Sequence, residues 1–496
     1  MHVHLIGVSG TGMGALAMLL RQEGHRVTGS DVSFDPPIGP ALTAAGIQCL
    51  TGYDARHLEP RPDLTVVGNA IRRDNPEAQA AEALGLRRLS MSATLRQQFL
   101  QGRKALVVAG THGKTTTSAM AAHMLTAAEL DPGWFIGGLP KNLPSGAGVG
   151  SRKRRLATTA SGLLAGASRG AAQKTPFVVE GDEYDAVYWH KQPKFLDYVG
   201  VSDEDVVIVT SVEHDHIDIY KDEASYEAAF RALIEAVPAG GLVVCDASQK
   251  AAARIVSETS RARVVFYALQ GDDTGDVTPT WSGAPVASDG EVQPFDLYGA
   301  GTYAGRLAMR VPGAHNVRNA IACMAACTEG FGVSMTTARA ALASFEGVRR
   351  RQDLLGTPRG VFVYDDFAHH PTAVDETLSA LANKHAKDKG RVFAVFEPRS
   401  ATACRSLHQE AYVGAFRRAD RVILAPLGRT NVPEAERLDL TRLAHEIGER
   451  ALVAPDLDAI VATIASEARP GDVVALLSNG AFGGLHGRVL TALAAG

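Results

Sequence analysis

An α/β protein of roughly three domains, built mostly on parallel sheets, is predicted by two observations. At 496 residues the chain exceeds what one hydrophobic core organises. Its apolar runs are short and numerous: "VHLIG", "DLTVVG", "ALVVAG", "FVVEGD", "DVVIVTS", "GLVVC", "GVFVYDD", "RVFAVFEP", "RVILAP" and "DVVALLS". Amphipathic segments of helical length separate them, which is the alternation of a parallel sheet covered by helices.

Three blocks follow in order. Residues 1–100 end where "LRQQFLQGRK" leads into a new strand, residues 101–346 end at the basic hinge "SFEGVRRRQDLLG", and residues 347–496 form the remainder. Inside the second block, residues 141–176 are rich in Gly, Ala and Ser and carry a basic cluster at Arg152 to Arg155. That composition reads as a flexible insertion.

Bulk composition excludes several function classes. Hydrophobic residues are 46% and charged residues 21%, and no apolar run approaches the roughly 18 residues of a membrane span. "MHVHLIGVSG" has no basic region followed by an apolar stretch and a cleavage site, so no secretion signal is read. Five scattered cysteines without a C-x-x-C pair argue against a disulfide scaffold or a zinc site and match a reducing cytoplasm. A formal charge of −4 gives no general pull toward nucleic acid. Small-molecule partners are expected, with neither nucleic acid nor membrane; the oligomeric state is left open.

The opening strand runs into "GVSGTGMGA", where Gly10, Gly12 and Ala15 satisfy G-x-G-x-x-A. Glycines let the backbone approach a pyrophosphate, and the N–H groups of a starting helix supply positive charge. Asp31 in "TGSD" stands where a ribose-binding acid would lie. A dinucleotide site and a plain tight turn remain alternative readings of this loop.

A second loop, "GTHGKTTT", lies between a strand and a helix. The longer phosphate-loop pattern requires a glycine at position 108, where the chain has Val108. Even so, Lys114 can reach terminal phosphates, the Thr115 hydroxyl can ligate Mg²⁺, and backbone N–H groups can cradle oxygens, so ATP is the expected ligand. Two acidic strand ends complete the expectation. "VVEGDEYD" supplies Glu180, Asp182, Glu183 and Asp185, and "TSVEHDHIDIY" supplies Glu213, His214, Asp215, His216 and Asp218. Carboxylates beside a phosphate loop suit a hard cation.

Together these motifs resemble the Mur ligase family, ATP-dependent enzymes that form amide bonds in cell-wall precursors. The family's shorter phosphate loop, G-T-x-G-K-[ST]-[ST], is met by Gly110, Thr111, His112, Gly113, Lys114, Thr115 and Thr116 without the missing glycine. "EGDEYD" resembles the family's acidic strand end, "VEHDHID" its metal turn, "GAHNVRNAIA" its adenine-site helix, "FEGVRRR" its hinge and "DDFAHHPTA" its ribose-contacting motif. The resemblance implies a UDP-binding Rossmann-like domain, a central ATPase domain and a Rossmann-like C-terminal domain. It implies Mg²⁺ on Thr115, Glu180 and His216, and His315, Asn316 and Asn319 around the adenine. It further places Arg350 on the phosphates and Asp366 on the ribose, with Lys114, Glu180, His216 and Arg350 as the catalytic set.

The first loop resembles the muramate-recognising branch. There Ser9, Gly10, Thr11, Gly12 and Met13, with Asp31, would hold the diphosphate of a UDP-sugar, and "GNAIRRDNPE" would add Asn69 and Asn75. Several relatives carry a carbamylated lysine past the metal histidine; here the region reads "YEAAFRAL", with Phe230 and no lysine, as in this branch. The implied reaction activates UDP-N-acetylmuramate as an acyl phosphate and joins it to an amine, giving ADP and phosphate. Two amines compete: the murein tripeptide L-alanyl-γ-D-glutamyl-meso-diaminopimelate, in peptidoglycan recycling, and L-alanine. "GVSGTGMGALAMLLRQEGHRVTGSD", "FEPRSATACRS" and "SNGAFGGLH" favour the tripeptide, and Ala401 departs from the usual Asn. Arg399, Ser478 and Asn479 are the expected peptide contacts, Arg399 because a guanidinium forks onto a carboxylate. A salt bridge at a strand end is the other reading of Arg399.

Overall fold

The computed structural model describes residues 1–36, 38–151, 174–217, 219–287, 290–429 and 431–495. Residues 152–173, most of the expected flexible insertion with Arg152 to Arg155, and Asp218 lie outside the described residues. Among the described residues, three large sheets divide the chain, beside one antiparallel pair, Asp185–Val187 with His190–Pro193.

The first is five-stranded and parallel, in the spatial order Gln48–Thr51, Arg26–Asp31, His2–Ile6, Leu64–Val67 and Arg88–Ser90. Strands such as Leu64–Val67 are buried throughout, which is why they read as continuous apolar runs without alternation. The chain reverses direction across the sheet between His2–Ile6 and Leu64–Val67. The turns leaving these two strands therefore open a crevice at their carboxyl ends, between the glycine loop and Asn69.

The second sheet has ten strands. Its parallel centre places Lys104–Ala109, which carries the phosphate loop, between Pro176–Gly181 and Val206–Val209. Val108 pairs with Glu180 and Ala109 with Val209, so both acidic segments emerge beside the loop. The strands Trp281–Pro285, Gln293–Gly299 and Thr302–Met309 extend this sheet as an antiparallel meander. Phe230, where other relatives have a lysine, is buried against Phe195 and Tyr226.

The expected flexible insertion needs correction at its start. Ala147–Gly148 pairs antiparallel with Trp134–Phe135, the Trp134 indole donates to the Ser145 carbonyl at 3.0 Å, and Lys141 lies 2.6 Å from the Asp353 carboxylate. Small residues here serve close packing, since a Cβ on Gly148 would collide with the Trp134 ring. Composition alone does not separate that demand from flexibility.

The third sheet has six strands, in the order Asp353–Gly356, Phe362–Asp366, Val473–Leu477, Val392–Phe396, Arg421–Leu424 and Ala451–Val453. Only the first of these is antiparallel to its neighbour. Leu477 pairs with both Asp366 and Phe396, so the segments beginning at Phe367, Ser478 and Glu397 leave the sheet side by side.

The first two sheets share one apolar cluster that includes Leu95, Phe99, Phe135, Phe177 and Phe195. Polar bonds lock this contact: the Arg96 guanidinium donates to the carbonyls of Asp197, Val199 and Gly200 at 2.8–3.0 Å.

Candidate active site between the three sheets

The phosphate loop is shaped by two glycines and tied down by the neighbouring strand. Gly110 (φ 138°) could not carry a Cβ without striking the Thr210 hydroxyl, and a Cβ on Gly113 (φ 77°) would lie 2.6 Å from Asn319 Oδ1. Thr111 N–H donates to the Ser211 carbonyl at 3.1 Å, His112 N–H to the Ser211 hydroxyl at 3.0 Å, and the Thr111 hydroxyl to the Glu213 carbonyl at 2.9 Å. The helix Lys114–Ala127 then starts at Gly113 with no side-chain cap, so the loop leads into free first-turn N–H groups. Thr116 is buried in that first turn.

Lys114 turns back over its own loop. Its ammonium donates to the Gly110 carbonyl at 2.5 Å and lies 3.1 Å from the buried Glu183 carboxylate. Burial by itself would lower the Lys114 pKa, but Glu183, Asp182 and Glu180 more than offset this and raise it. Burial would raise Glu183, yet Lys114 and His216 bring it down to about 2. Lysine cation and Glu183 anion are thus mutually stabilised. His216 belongs to the same group, with its Nε2 3.0 Å from Glu183 Oε1.

The expected metal set is joined only in part. The Thr115 hydroxyl donates to Glu180 Oε1 at 2.8 Å, and Glu180 Oε2 accepts the Gly137 N–H at 2.7 Å. Burial, with nearby Asp182, pushes the Glu180 carboxyl up despite these donors, so this oxygen pair would gain from a cation. Its all-oxygen chemistry suits Mg²⁺. His216 is directed to Glu183 instead of this pair.

Arg350, expected on the phosphates, points elsewhere. Its guanidinium donates to the carbonyls of Ser478 (2.9 Å) and Gly480 (2.6 Å) and to Asp365 (3.2 Å). Arg351 is the residue at the loop, with Nη2 3.3 Å from Thr115 Oγ1. The left-handed backbone at Arg350 (φ 61°) redirects the chain between the two.

Asn316 and Asn319 are buried on the helix Ala314–Ala325, not surface residues. Asn319 donates to Asn316 Oδ1 at 3.2 Å and stands against Gly113. His315 Nε2 lies 3.2 Å from the carboxamide nitrogen of Gln352. Asp366, expected on the ribose, is buried and takes the N–H groups of Gln352 (2.6 Å) and Ala368 (2.7 Å). The carboxylate pins the hinge to the third sheet, and burial pushes its pKa up.

In the first loop, Asp31 accepts the Ser9 N–H at 2.8 Å and the Tyr53 hydroxyl at 3.2 Å, while the Ser9 hydroxyl donates to the Ser33 carbonyl. Gly10 and Thr11 are exposed at the start of the helix Thr11–Gln22. A Cβ on Gly12 would lie 2.9 Å from Met91 Sδ and 4.0 Å from Phe135. The Met13 side chain is core, and Asn69 is exposed beside the crevice. Asn75 caps the helix Pro76–Ala83, its Oδ1 accepting the Glu77 and Ala78 N–H groups, so that oxygen is committed to structure.

The peptide candidates do meet. The Ser478 hydroxyl donates to Glu397, Gly480 N–H donates to Ser478 Oγ at 3.0 Å, and Arg399 Nη1 lies 3.7 Å from Glu397. Arg399 crosses Gly480 so closely that a Cβ there would collide with it. The buried Asn479 Oδ1 has no hydrogen-bond partner among the described residues.

Sequence reasoning offered Glu183 only as one of several acids beside the loop, and gave no role to Arg351, Gln352, Glu397 or the segment Phe135 to Gly138. The repeated acid in "EGDE" and the acid two residues before Arg399 were the signals for two of them. The segment carried no motif, yet it spans from Gly12, through Phe135, to Glu180 and Thr115.

Similarity to known proteins follows this geometry. Residues 2–103 match "Mur ligase family, catalytic domain", residues 108–327 "Mur ligase middle domain" and residues 350–480 "Mur ligase, glutamate ligase domain". The chain is 34% identical to the UDP-N-acetylmuramate–L-alanyl-γ-D-glutamyl-meso-2,6-diaminoheptandioate ligase of Escherichia coli, over 100% of this chain and 98% of that protein. It is 33% identical to a UDP-N-acetylmuramate–L-alanine ligase of Roseiflexus, over 97% and 96%. The crystal structure of a murein peptide ligase from Psychrobacter arcticus superposes with a TM-score of 0.70 at 32% identity, covering 100% of this chain and 99% of that one. The chain belongs to the Mur ligase family.

Proposed function

We propose that this protein joins the tripeptide L-alanyl-γ-D-glutamyl-meso-diaminopimelate to the lactyl carboxylate of UDP-N-acetylmuramate, using ATP, in peptidoglycan recycling. The carrying observation is full-length similarity above 30% to an enzyme named for that reaction. The convergence of a phosphate loop, an oxygen pair and a third-domain polar cluster supports it. We place the domain boundaries at 1–100, 101–346 and 347–496. Among the described residues no helix is long and apolar enough to cross a membrane, and we assign the reaction to the cytoplasm.

A carboxylate does not condense with an amine unaided, because oxide is a poor leaving group. The lactyl carboxylate attacks the γ-phosphorus of ATP, the bond to the bridging oxygen breaks, and ADP leaves. Lys114, kept protonated by its carboxylate neighbours, exchanges Glu183 for phosphate oxygens and reduces the repulsion between two anions. Arg351 adds a second positive charge beside Thr115. Mg²⁺, held by the Thr115 hydroxyl and the Glu180 carboxylate, would neutralise charge on the transferring phosphoryl group. The peptide α-amine then attacks the acyl carbonyl, loses a proton and expels phosphate. Arg399 and Asn479 orient the peptide for this attack.

Phosphate release tests the reading: ATP, Mg²⁺ and UDP-N-acetylmuramate are supplied with the tripeptide or with L-alanine. Faster release with the tripeptide is expected. Equal or faster release with alanine transfers the assignment to the alanine ligase, and none with either ends it. Lys114→Ala is expected to abolish release while the protein remains folded.

A further inference from the structure

A second cluster of ligating side chains lies beside the phosphate loop, composed for a different class of cation. His112 Nε2 is 3.1 Å from Glu213 Oε2, and His370 Nδ1 is 3.7 Å from the same oxygen. One ligand atom from each of the three lies within 4.8 Å of the others. The His112 and His370 rings are 4.7 Å apart between centroids. His112 and Glu213 belong to the central sheet's loops, whereas His370 caps the third-domain helix Pro371–Lys384.

We propose that His112, Glu213 and His370 form a binding site for a borderline divalent cation of the Zn²⁺ class, bridging the phosphate loop to the third domain. Zinc bonds of about 2.0–2.1 Å in a tetrahedron set ligand atoms roughly 3.3 Å apart. The two separations bracket that value, and His370 Nδ1 exchanges its long 3.4 Å bond from the Thr372 N–H for the cation. Two imidazoles and one carboxylate form the ligand set of an open, three-residue zinc site, and nitrogen donors select against Mg²⁺.

Two further features mark the place as built. The Thr372 hydroxyl donates to Glu213 Oε2 at 2.9 Å and orients the carboxylate from outside. His408 packs 4.6 Å from His370 between ring centroids, and its Nε2 is buried without a hydrogen-bond partner among the described residues. A buried imidazole nitrogen lacking a partner carries a desolvation cost that an adjacent cation, directly or through a bound water, would relieve. Because the ligands come from two domains, a bound ion cross-links them and opposes the opening that releases product.

The test uses the full-length protein, stripped by a chelator and kept in excess Mg²⁺. Co²⁺ absorption and the Zn²⁺-dependent rise in unfolding midpoint are read for wild type, Glu213→Gln, His370→Asn and Glu180→Gln. Asparagine preserves the helix cap at residue 370. One equivalent is expected to bind wild type and Glu180→Gln with the visible bands of a four-coordinate Co²⁺ ion. Glu213→Gln and His370→Asn are expected to bind roughly tenfold more weakly or worse. No binding to wild type, wild-type affinity in both Glu213→Gln and His370→Asn, or loss in Glu180→Gln alone would overturn the site. If either cluster variant fails to fold, His112→Ala replaces it with the same two outcomes.

Discussion

Arg351 Nη2 stands 3.3 Å from Thr115 Oγ1, and the preceding Arg350 grips the carbonyls of Ser478 and Gly480. Two adjacent arginines thus serve two domains. Removing the charge beside the phosphate loop in Arg351→Met is expected to lower kcat about 10²-fold, the scale of one lost electrostatic contact to a developing charge. Arg350→Met is expected to lower the unfolding midpoint more than Arg351→Met does, with the smaller loss in kcat. Phosphate-release kinetics and thermal unfolding of both variants check this, and the opposite ranking contradicts it.

The Lys114–Glu183 pair sets a pH response. Glu183 is held at about 2 in the folded protein against an ordinary 4.5. Its contribution is therefore fully present above pH 4.5 and is lost as pH falls through about 2. Glu183→Gln is expected to flatten this acid limb in denaturant titrations run across that window. At neutral pH it is expected to cost roughly 3 kcal/mol, because a buried ammonium loses its counter-charge. An unchanged acid limb would show that Glu183 is not the group responsible.

Gly138 is a steric test of the link between the loops. A Cβ there would lie 2.8 Å from Thr115 Cγ2 and 2.7 Å from Val348 Cγ1. Gly138→Ala is expected to displace Thr115 and reduce kcat/KM for ATP by roughly tenfold, since small misplacements of positioning groups are costly. Wild-type ATP kinetics would mean that the segment gives way freely.

Arg399→Met separates peptide recognition from nucleotide chemistry. The expected outcome is a rise in KM for the tripeptide of about tenfold or more, from loss of a charge-assisted carboxylate contact, with KM for ATP unchanged. If both constants stay at wild-type values, Arg399 is only the partner of Glu397.

Much of the fold was legible because burial leaves a one-dimensional trace. Strands covered on both faces appear as short apolar runs, and the turns after His2–Ile6 and Lys104–Ala109 require glycines that sequence displays. That Lys114 and Thr115 lie beside Glu180 was legible for the same reason, since loop and acid occupy adjacent strand ends. Other contacts were not legible, because a side chain's direction and partners decide them. Nothing in "VRRRQ" tells which guanidinium follows the left-handed turn at Arg350. Nothing in "DDF" tells that Asp366 spends its oxygens on Gln352 and Ala368.

By itself, then, the sequence determined the alternating α/β pattern, the two glycine loops and the chemistry of a phosphate site, because backbone conformation and burial act locally. Tertiary structure alone decided the partners. It gave His216 to Glu183, Arg351 to Thr115, and His112 and Glu213 to His370 from another domain. Hydrogen bonds and ion pairs depend on separations of a few ångströms, and packing sets those between segments that are distant in the sequence.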